Sequence, residues 1–345
     1  MKLLIVTQKL DVNDDNLGFF NDWLNKLATE ADLSVISNHV GCHNLPPNVA
    51  VYSLGKEKGI GRILKFLTYQ YLLWKMLPQV DGVFFHMCPE YVLGAWFLPL
   101  IFRKRSLLWY AHKSTSFKLR LASWLVEKIF TPSRESCRLF PSAKIEITGH
   151  GIDANKFIPK SSQVFDTRKI YHIVSVGRIS PVKNVHILIE VAEVLRKSFF
   201  CFDLKIVGAP ITEVDKKYWN ELHNLRLKKK LEDKVFFEGS IANKDTVPFY
   251  QGGDIFINLS DTGSIDKAIL EAMSCGLDIL TSNEAFYNIL PPENIINKYP
   301  RAIAEKIIGL FRAKSNEKNF NFREYVVNNH SLDNLVDKII KFYCK

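Results

Sequence analysis

The sequence predicts an α/β protein of two domains, each built on an open parallel sheet. Three observations carry that prediction. The chain has 345 residues, long for one core, since domains commonly run about 100–200 residues. Apolar strand-like runs alternate with amphipathic helical runs, which is the pattern of βαβ units. The alternation then stops at a polar stretch, residues 157–169, and restarts with a new strand.

The first domain, residues 1–160, opens with the apolar strand Leu3–Thr7. A loop of acidic and Asn residues leads to Gly18 and a helical pattern over Phe19–Ala28. Strands are expected at Leu33–Ser37, Gly82–His86 and Leu107–Ala111, and longer helices at Gly61–Met76 and Phe117–Glu127. Residues 157–169 carry Pro, Ser, Gln and charge with weak periodicity, as interdomain linkers do.

The second domain, residues 170–320, opens with the strand Ile170–Gly177. The helix Val185–Lys197 places apolar residues at 187, 188, 191, 194 and 195 on one face. The strand Phe202–Val207 ends at Gly208, and Val235–Phe237 ends at Glu238-Gly239. Ile255–Leu259 leads into a loop. The next helix, Ala268–Cys275, stops at Gly276, a C-terminal cap position, and the strand Leu277–Thr281 follows. The last segment, 321–345, includes an amphipathic helix over Ser331–Tyr343. Open parallel sheets bind ligands beyond the carboxyl ends of their strands, and two such sheets facing one another would enclose a cleft.

Composition narrows the function. A hydrophobic fraction of 47% and a charged fraction of 24% are ordinary for a globular protein. The net charge of +10 is not. It points to a phosphorylated substrate, an anionic membrane face or nucleic acid, with solubility as the plain alternative. The six cysteines are scattered without a C-x-x-C pair, which argues against a zinc site and a disulfide framework. No metal is expected, and a reduced, cytoplasmic setting fits. The N-terminal run Leu3–Val6 is short for a signal peptide. The run Tyr91–Phe102 contains Pro99 and falls short of the roughly 20 residues of a spanning helix.

Basic residues cluster in the first domain. Lys56, Lys58, Arg62, Lys65 and Lys75 surround the apolar run Phe66–Trp74, and Arg103-Lys104-Arg105, Lys113, Lys118 and Arg120 follow. A basic helix with aromatic residues can lie on an anionic membrane, here the inner face. The alternative is that the apolar residues are core and the lysines solvate its rim.

Two segments that follow strands and open helices suit an anion. In Gly177-Arg178-Ile179-Ser180-Pro181-Val182-Lys183-Asn184 the glycine permits a sharp turn. Arg178 offers a planar fork to phosphate oxygens, Lys183 adds a compact charge, and the helix start behind Asn184 adds free N–H groups. A solvated basic turn with Asn184 as an N-cap is the competing reading. In the second segment, Thr262–Met273, Gly263 and Ser264 can expose backbone N–H groups, and Glu271 lies one turn into the helix, where it can accept from ribose hydroxyls. Alternatively Glu271 pairs with Lys267 at i, i+4, although Lys before Glu is the weaker order, and Asp266 only favours the helix dipole.

Gly177-Arg178 with Lys183-Asn184, Phe237-Glu238-Gly239, Asp254–Ser260 and Leu270–Gly276 resemble, in order and spacing, the retaining family-4 glycosyltransferases. Thr148-Gly149-His150-Gly151-Ile152-Asp153 with Phe157 resembles that family's sequence before its linker. The resemblance implies a GT-B fold of two Rossmann-like domains and a nucleoside-diphosphate sugar as co-substrate, with no cofactor and no metal. Arg178 and Lys183 would hold the diphosphate and Glu271 the ribose, with Gly239 near the base. Gly18, Gly208, Ser264, Ile265 and Lys267 would complete the donor site, and the last helix would return to the first domain. His112, at the end of a strand, resembles the family's sugar-side histidine. His86 is an acceptor-side candidate. One departure stands out. The family carries a glutamate eight residues before the position of Glu271, and here that residue is Gly263. Asp266 is the nearby carboxylate that could replace it.

The expected function is therefore glycosyl transfer to a glycan or lipid-linked acceptor with retention of anomeric configuration. Two alternatives remain at this point. One is a nucleic-acid-binding protein or DNA-modifying glycosyltransferase, disfavoured because no nucleic-acid-binding motif is present. The other is a non-catalytic nucleotide-sugar binder, suggested by Gly263. A dehydrogenase is disfavoured because neither opening strand leads into G-x-G-x-x-G.

Overall fold

The computed structural model describes residues 1–139, 143–160, 170–313 and 321–344. The chain divides into two units. One is Met1–Asp153 with Ala242–Lys244 and Asn328–Lys345; the other is Ala154–Ile241 with Asp245–Val327. Most of the linker expected at 157–169 lies outside the described residues.

The first unit holds strands β1 (Lys2–Leu10), β2 (Asp32–Val40), β3 (Val49–Ser53), β4 (Gly82–His86), β5 (Arg105–Trp109), β6 (Lys128–Thr131) and β7 (Ile145–Ile147). They pair in the order β3-β2-β1-β4-β5-β6-β7, every neighbour parallel. Helices α1 (Phe19–Leu27), α2 (Arg62–Met76), α3 (Pro89–Ala95), α4 (Leu98–Ile101) and α5 (Phe117–Leu125) accompany them. The apolar segment β4 is buried along its whole length, as a strand covered on both faces must be. Three strands, β3, β6 and β7, were not expected. Strand β3 lies at the sheet edge with no fully buried residue, and β7 has three residues, so neither carries the alternation that marks a half-buried strand. The apolar run Tyr91–Phe102 is broken at Trp96, whose φ is 47°.

The second unit repeats the plan with β8 (Tyr171–Val176), β9 (Phe202–Val207), β10 (Val235–Gly239), β11 (Ile255–Asn258) and β12 (Asp278–Thr281). Their order is β10-β9-β8-β11-β12, again all parallel. The helices are α6 (Val185–Lys197), α7 (Glu213–Lys228), α8 (Val247–Gly252), α9 (Lys267–Ser274), α10 (Pro300–Ala313) and α11 (Phe322–His330), which belongs to this unit as far as Val327. The inward stripe of α6 packs with Ile303, Ala304 and Ile307 of α10.

The C-terminal segment is two helices rather than one, α11 and α12 (Leu332–Cys344). Leu335, Val336 and Ile339 of α12 are buried in the first unit with Trp23 and Phe342, each burial contributing about 1.5–3 kcal/mol. The Thr148–Asp153 motif is the clasp for this helix. The Ile152 amide donates to the His330 carbonyl (2.7 Å), and the Leu332 amide donates back to Ile152 (2.8 Å). A Cβ on Gly149 would stand 2.1 Å from the Asn329 carbonyl oxygen, so the motif needs glycine for this approach. Among the described residues, no helix is long and apolar enough to cross a membrane.

Candidate functional site

Both sheets reverse their strand order beside their first strand, between β1 and β4 and between β8 and β11. Sheets of this winding bind ligands at that switch point. In the second unit the strand ends leading to that point are backbone. Gly177, Gly208 and Gly239 end three adjacent strands at positive φ. The Gly177 amide donates to the Val207 carbonyl (2.9 Å) and the Gly208 amide to the Gly239 carbonyl (2.7 Å). A Cβ on Gly208 would stand 2.0 Å from the Gly177 carbonyl oxygen.

The loops after β8 and β11 are laced together there. The Asp261 amide donates to the Val182 carbonyl (2.9 Å). Asn184 Nδ2 donates to the Leu259 carbonyl (2.9 Å) and to Asp261 Oδ2 (2.7 Å). Asn184 therefore does not cap α6 with its side chain. It sits in the left-handed region, φ 54°, and joins the two loops instead.

Lys183 and Asp266, 83 residues apart in sequence, form an ion pair between Nζ and Oδ2. Asn258 Nδ2 donates to the same carboxylate oxygen at 3.1 Å. Burial pushes the Asp266 carboxyl up, but the charge of Lys183 and the hydrogen bonds from Lys183 and Asn258 outweigh it and hold it below the usual carboxylate range. Arg178 is exposed and makes no hydrogen bond or ion pair among the described residues. Its charge is felt by Asp215. Burial raises that carboxyl, hydrogen bonds from Thr212 and Ile211 lower it, and the Arg178 charge adds to the lowering, which prevails.

Glu271 is buried on α9. Tyr250 donates its hydroxyl to Glu271 Oε2 (2.8 Å), and Lys267 Nζ lies 3.2 Å from Oε1. The i, i+4 pair thus forms in spite of its less favourable order, and both carboxylate oxygens have partners within the unit. Burial beside Glu271 pushes the Tyr250 hydroxyl well above the usual phenol range, so it remains a donor. Nearby, the Ser264 carbonyl accepts from Asn283 Nδ2 (3.0 Å), Ile265 is buried, and Gly263 has φ 60°.

In the first unit Gly18 is required by the turn before α1, where a Cβ would stand 2.4 Å from the Asp14 carbonyl oxygen. His112 lies exposed just past β5, its ring edge-on to Tyr110 at 5.7 Å. Desolvation lowers its pKa from the ordinary histidine value. His86 does not sit on an accessible wall, as an acceptor-side residue would. It is buried, stacked on Phe20 at 3.8 Å and on Trp109 at 5.6 Å, with Thr7 Oγ1 at 3.1 Å from Nδ1. The closing of aromatic rings over the end of β4 makes it core.

Three residues of the second unit were missed. Tyr250 and Asn258 serve Glu271 and Asp266. Arg323 of α11 donates to the carbonyls of Ala154 (2.8 Å), Phe157 (2.7 Å) and Ser274 (2.8 Å). Only Asn258 left a signal, as a polar residue ending an apolar strand.

Residues 155–326 match the family described as glycosyl transferases group 1. Through them, the chain belongs to that family. The group 1 segment contains both laced loops and Arg178, Lys183, Asp266 and Glu271. The amylovoran biosynthesis glycosyltransferase AmsK of Erwinia amylovora is 27% identical over 151 residues, which is 42% of this chain and 35% of that protein. Alpha-monoglucosyldiacylglycerol synthase of Streptococcus pneumoniae is 29% identical over 119 residues, 34% of this chain and 25% of that one. The chain thus spans about a third or less of the length of these relatives. The crystal structure of Anabaena Alr3699/HepE in complex with UDP aligns over 100% of both chains, with a TM-score of 0.77 at 17% identity. The fold of this group 1 protein is therefore the GT-B class, α/β with two Rossmann-like parallel sheets.

Proposed function

We propose that the protein is a glycosyltransferase that moves a sugar from a nucleoside-diphosphate sugar to a glycan or lipid-linked acceptor, with retention at the anomeric carbon. One observation carries the reading. Arg178 and Lys183 stand on a glycine-opened loop at the switch point of the second unit, the place and the charge that a diphosphate needs. UDP in the Anabaena structure supports a uridine donor, and the relatives named for amylovoran and diacylglycerol products support the acceptor class.

Glycosyl transfer passes through an oxocarbenium-like transition state, and negative charge grows on the departing diphosphate. Preorganised cations stabilise that charge without reorganising during the reaction. Arg178, exposed and without a hydrogen bond or ion pair among the described residues, supplies its fork directly. Lys183 exchanges Asp266 for phosphate oxygens. These cations supply the positive charge that a metal would otherwise bring, so the reading assigns no metal and no cofactor. Glu271, with its oxygens held by Tyr250 and Lys267, is assigned to the ribose. The acceptor proton leaves on the departing phosphate oxygen. The protein is assigned to the cytoplasmic side, peripheral to the membrane.

The test is a panel of nucleoside-diphosphate sugars, with released nucleoside diphosphate as the readout and the anomeric proton of the product followed by NMR. Release with at least one donor and a retained configuration are expected. Binding without release of any diphosphate would sink the catalytic reading and leave a nucleotide-sugar binder.

A further inference from the structure

Helices α2 to α5 cover one face of the first sheet. Tyr69, Leu72, Leu73 and Met76 turn inward from α2, a stripe at helical spacing that packs on Val92 and Leu119. The other side of α2 is apolar as well. Ile63, Leu67, Tyr71 and Trp74 follow one another at spacings of four, four and three, and each is more than half exposed. A surface helix carries one apolar stripe toward its core. A second stripe facing water has no structural use inside this unit.

The neighbouring helices continue the same surface. Trp96, Phe97 and Ile101 are exposed around α4, and Phe117 and Trp124 on α5, seven residues apart on one helical face. The helices are joined side by side. Gln70 Nε2 of α2 donates to the Gly94 carbonyl of α3 (2.7 Å), Trp74 meets Phe102 edge-on at 5.3 Å, and Lys118 of α5 pairs with Glu90 of α3 at 3.0 Å. Among the described residues, twelve of the twenty-four exposed large apolar side chains fall between Arg62 and Leu125, so the exposure is concentrated rather than scattered. Soluble proteins rarely expose large contiguous apolar patches without a partner. The backbone supports the same display. Trp96 and Arg103 bracket α4 with φ of 47° and 53°. A bulky residue takes such a conformation at a cost, and here the turn leaves Trp96 and Phe97 in water.

Charge identifies the partner. Residues 62–125 contain nine Lys and Arg against two acidic residues, Asp81 and Glu90. Asp81 accepts from the Lys2 amide, and Glu90 pairs with Lys118. A second copy of this face would bring the same positive charge and be repelled. A nucleic acid would meet the basic side chains and leave the apolar stripes in water. Aromatic rings with Lys and Arg around them match the layered chemistry of a bilayer surface. We infer that the outward face of α2–α5 docks on an anionic lipid bilayer, with its rings at the headgroup–acyl boundary and Lys65, Arg103 and Lys104 on lipid phosphates. The inference deepens the peripheral placement proposed above, and it stands or falls apart from the transferase reading, because lipid binding is measured without donor or acceptor.

The test is co-sedimentation of the full chain with vesicles of phosphatidylglycerol and phosphatidylcholine, compared with phosphatidylcholine alone. Binding to the anionic vesicles is expected to be at least tenfold stronger and to weaken with salt. The double variants Trp96→Ser/Trp124→Ser and Lys65→Glu/Arg103→Glu should each lower binding about tenfold or more, with thermal unfolding unchanged. Lys216→Glu/Lys217→Glu, on α7 of the second unit, should leave it intact. No binding at low salt would overturn the docking surface, as would equal loss in the α7 control. So would release of bound protein by single-stranded DNA with the Trp double variant unaffected, or a dimer that the Trp double variant dissolves.

Discussion

In the second unit the ends of β8 and β9 are bare backbone with charge beside them; in the first, the end of β4 is plugged by rings. Both sheets reverse at the equivalent strand. At one reversal, Gly177 and Gly208 remove side chains from the strand ends, and Lys183 faces Asp266. At the other, Phe20 and Trp109 sandwich His86, and Trp23 closes the edge at 5.6 Å. The same winding therefore carries glycine-opened strand ends and charge in one unit and a hydrophobic core in the other. Topology nominates the position, and side-chain volume decides whether it is open.

The largest expected effect breaks the open side. Arg178→Ala should lower transfer roughly 10²–10³-fold, a loss of about 3–4 kcal/mol of transition-state stabilisation, as for other preorganised charge donors. Its melting temperature should hold, because the side chain is exposed and makes no ion pair among the described residues. Steady-state kinetics with the preferred donor decide it; near-normal turnover would remove Arg178 from the site.

Acid should loosen the two units at different pH. His330, in the first unit, is driven down to about 4, first by burial and then by the charge of Lys338. An unfolded chain takes that proton near 6.5, while the folded one refuses it until about 4, so this contribution is complete above 6.5 and is lost as pH falls toward 4, roughly 3 kcal/mol in all. Asp266, in the second unit, is held below its ordinary value. Its contribution is complete above the usual carboxylate value near 3.9 and disappears only as pH falls through the lower folded value. Hydrogen exchange against pH should show the first unit loosening before the second, and the opposite order would contradict this assignment.

A smaller effect sharpens the plugged side. His86→Ala empties the ring stack and should cost about 2 kcal/mol or more of stability, read by denaturant unfolding, with UDP affinity unchanged. A weakened UDP affinity at full stability would return His86 to a ligand role.

Much of this contrast was legible in the sequence, but unevenly. Gly177, Arg178 and Lys183 stand in one short segment after an apolar strand, so their chemistry could be read locally. The ring plug could not, because Phe20, His86 and Trp109 meet only when three strand–helix units have folded. His86 looked like a site residue because it ends a strand, and its burial depends on rings contributed from 66 residues before and 23 after. Strands β3 and β7 were hidden for a different reason, as edge or very short strands with little burial to impose a period. The same holds for Arg323, whose three carbonyl acceptors come from the segment before the second sheet and from α9.

The smallest effect concerns Asp266 and separates two roles for it. If its carboxylate replaces the glutamate absent at Gly263, it acts on the transferred sugar. The ion pair with Lys183 points elsewhere. In the free protein Asp266 is the counter-ion of Lys183, and on the proposed function an incoming diphosphate competes with it for the same ammonium. Asp266→Asn keeps the shape and an oxygen to accept from Lys183 but gives up the charge. UDP, which lacks the transferred sugar, should then bind about tenfold more tightly, a gain of about 1.4 kcal/mol, and the gain should shrink with salt. Calorimetry with UDP alone measures it. An unchanged UDP affinity together with slower sugar transfer would place the carboxylate on the sugar, and would mean that the charge opened at this switch point serves the donor's sugar as well as its phosphates.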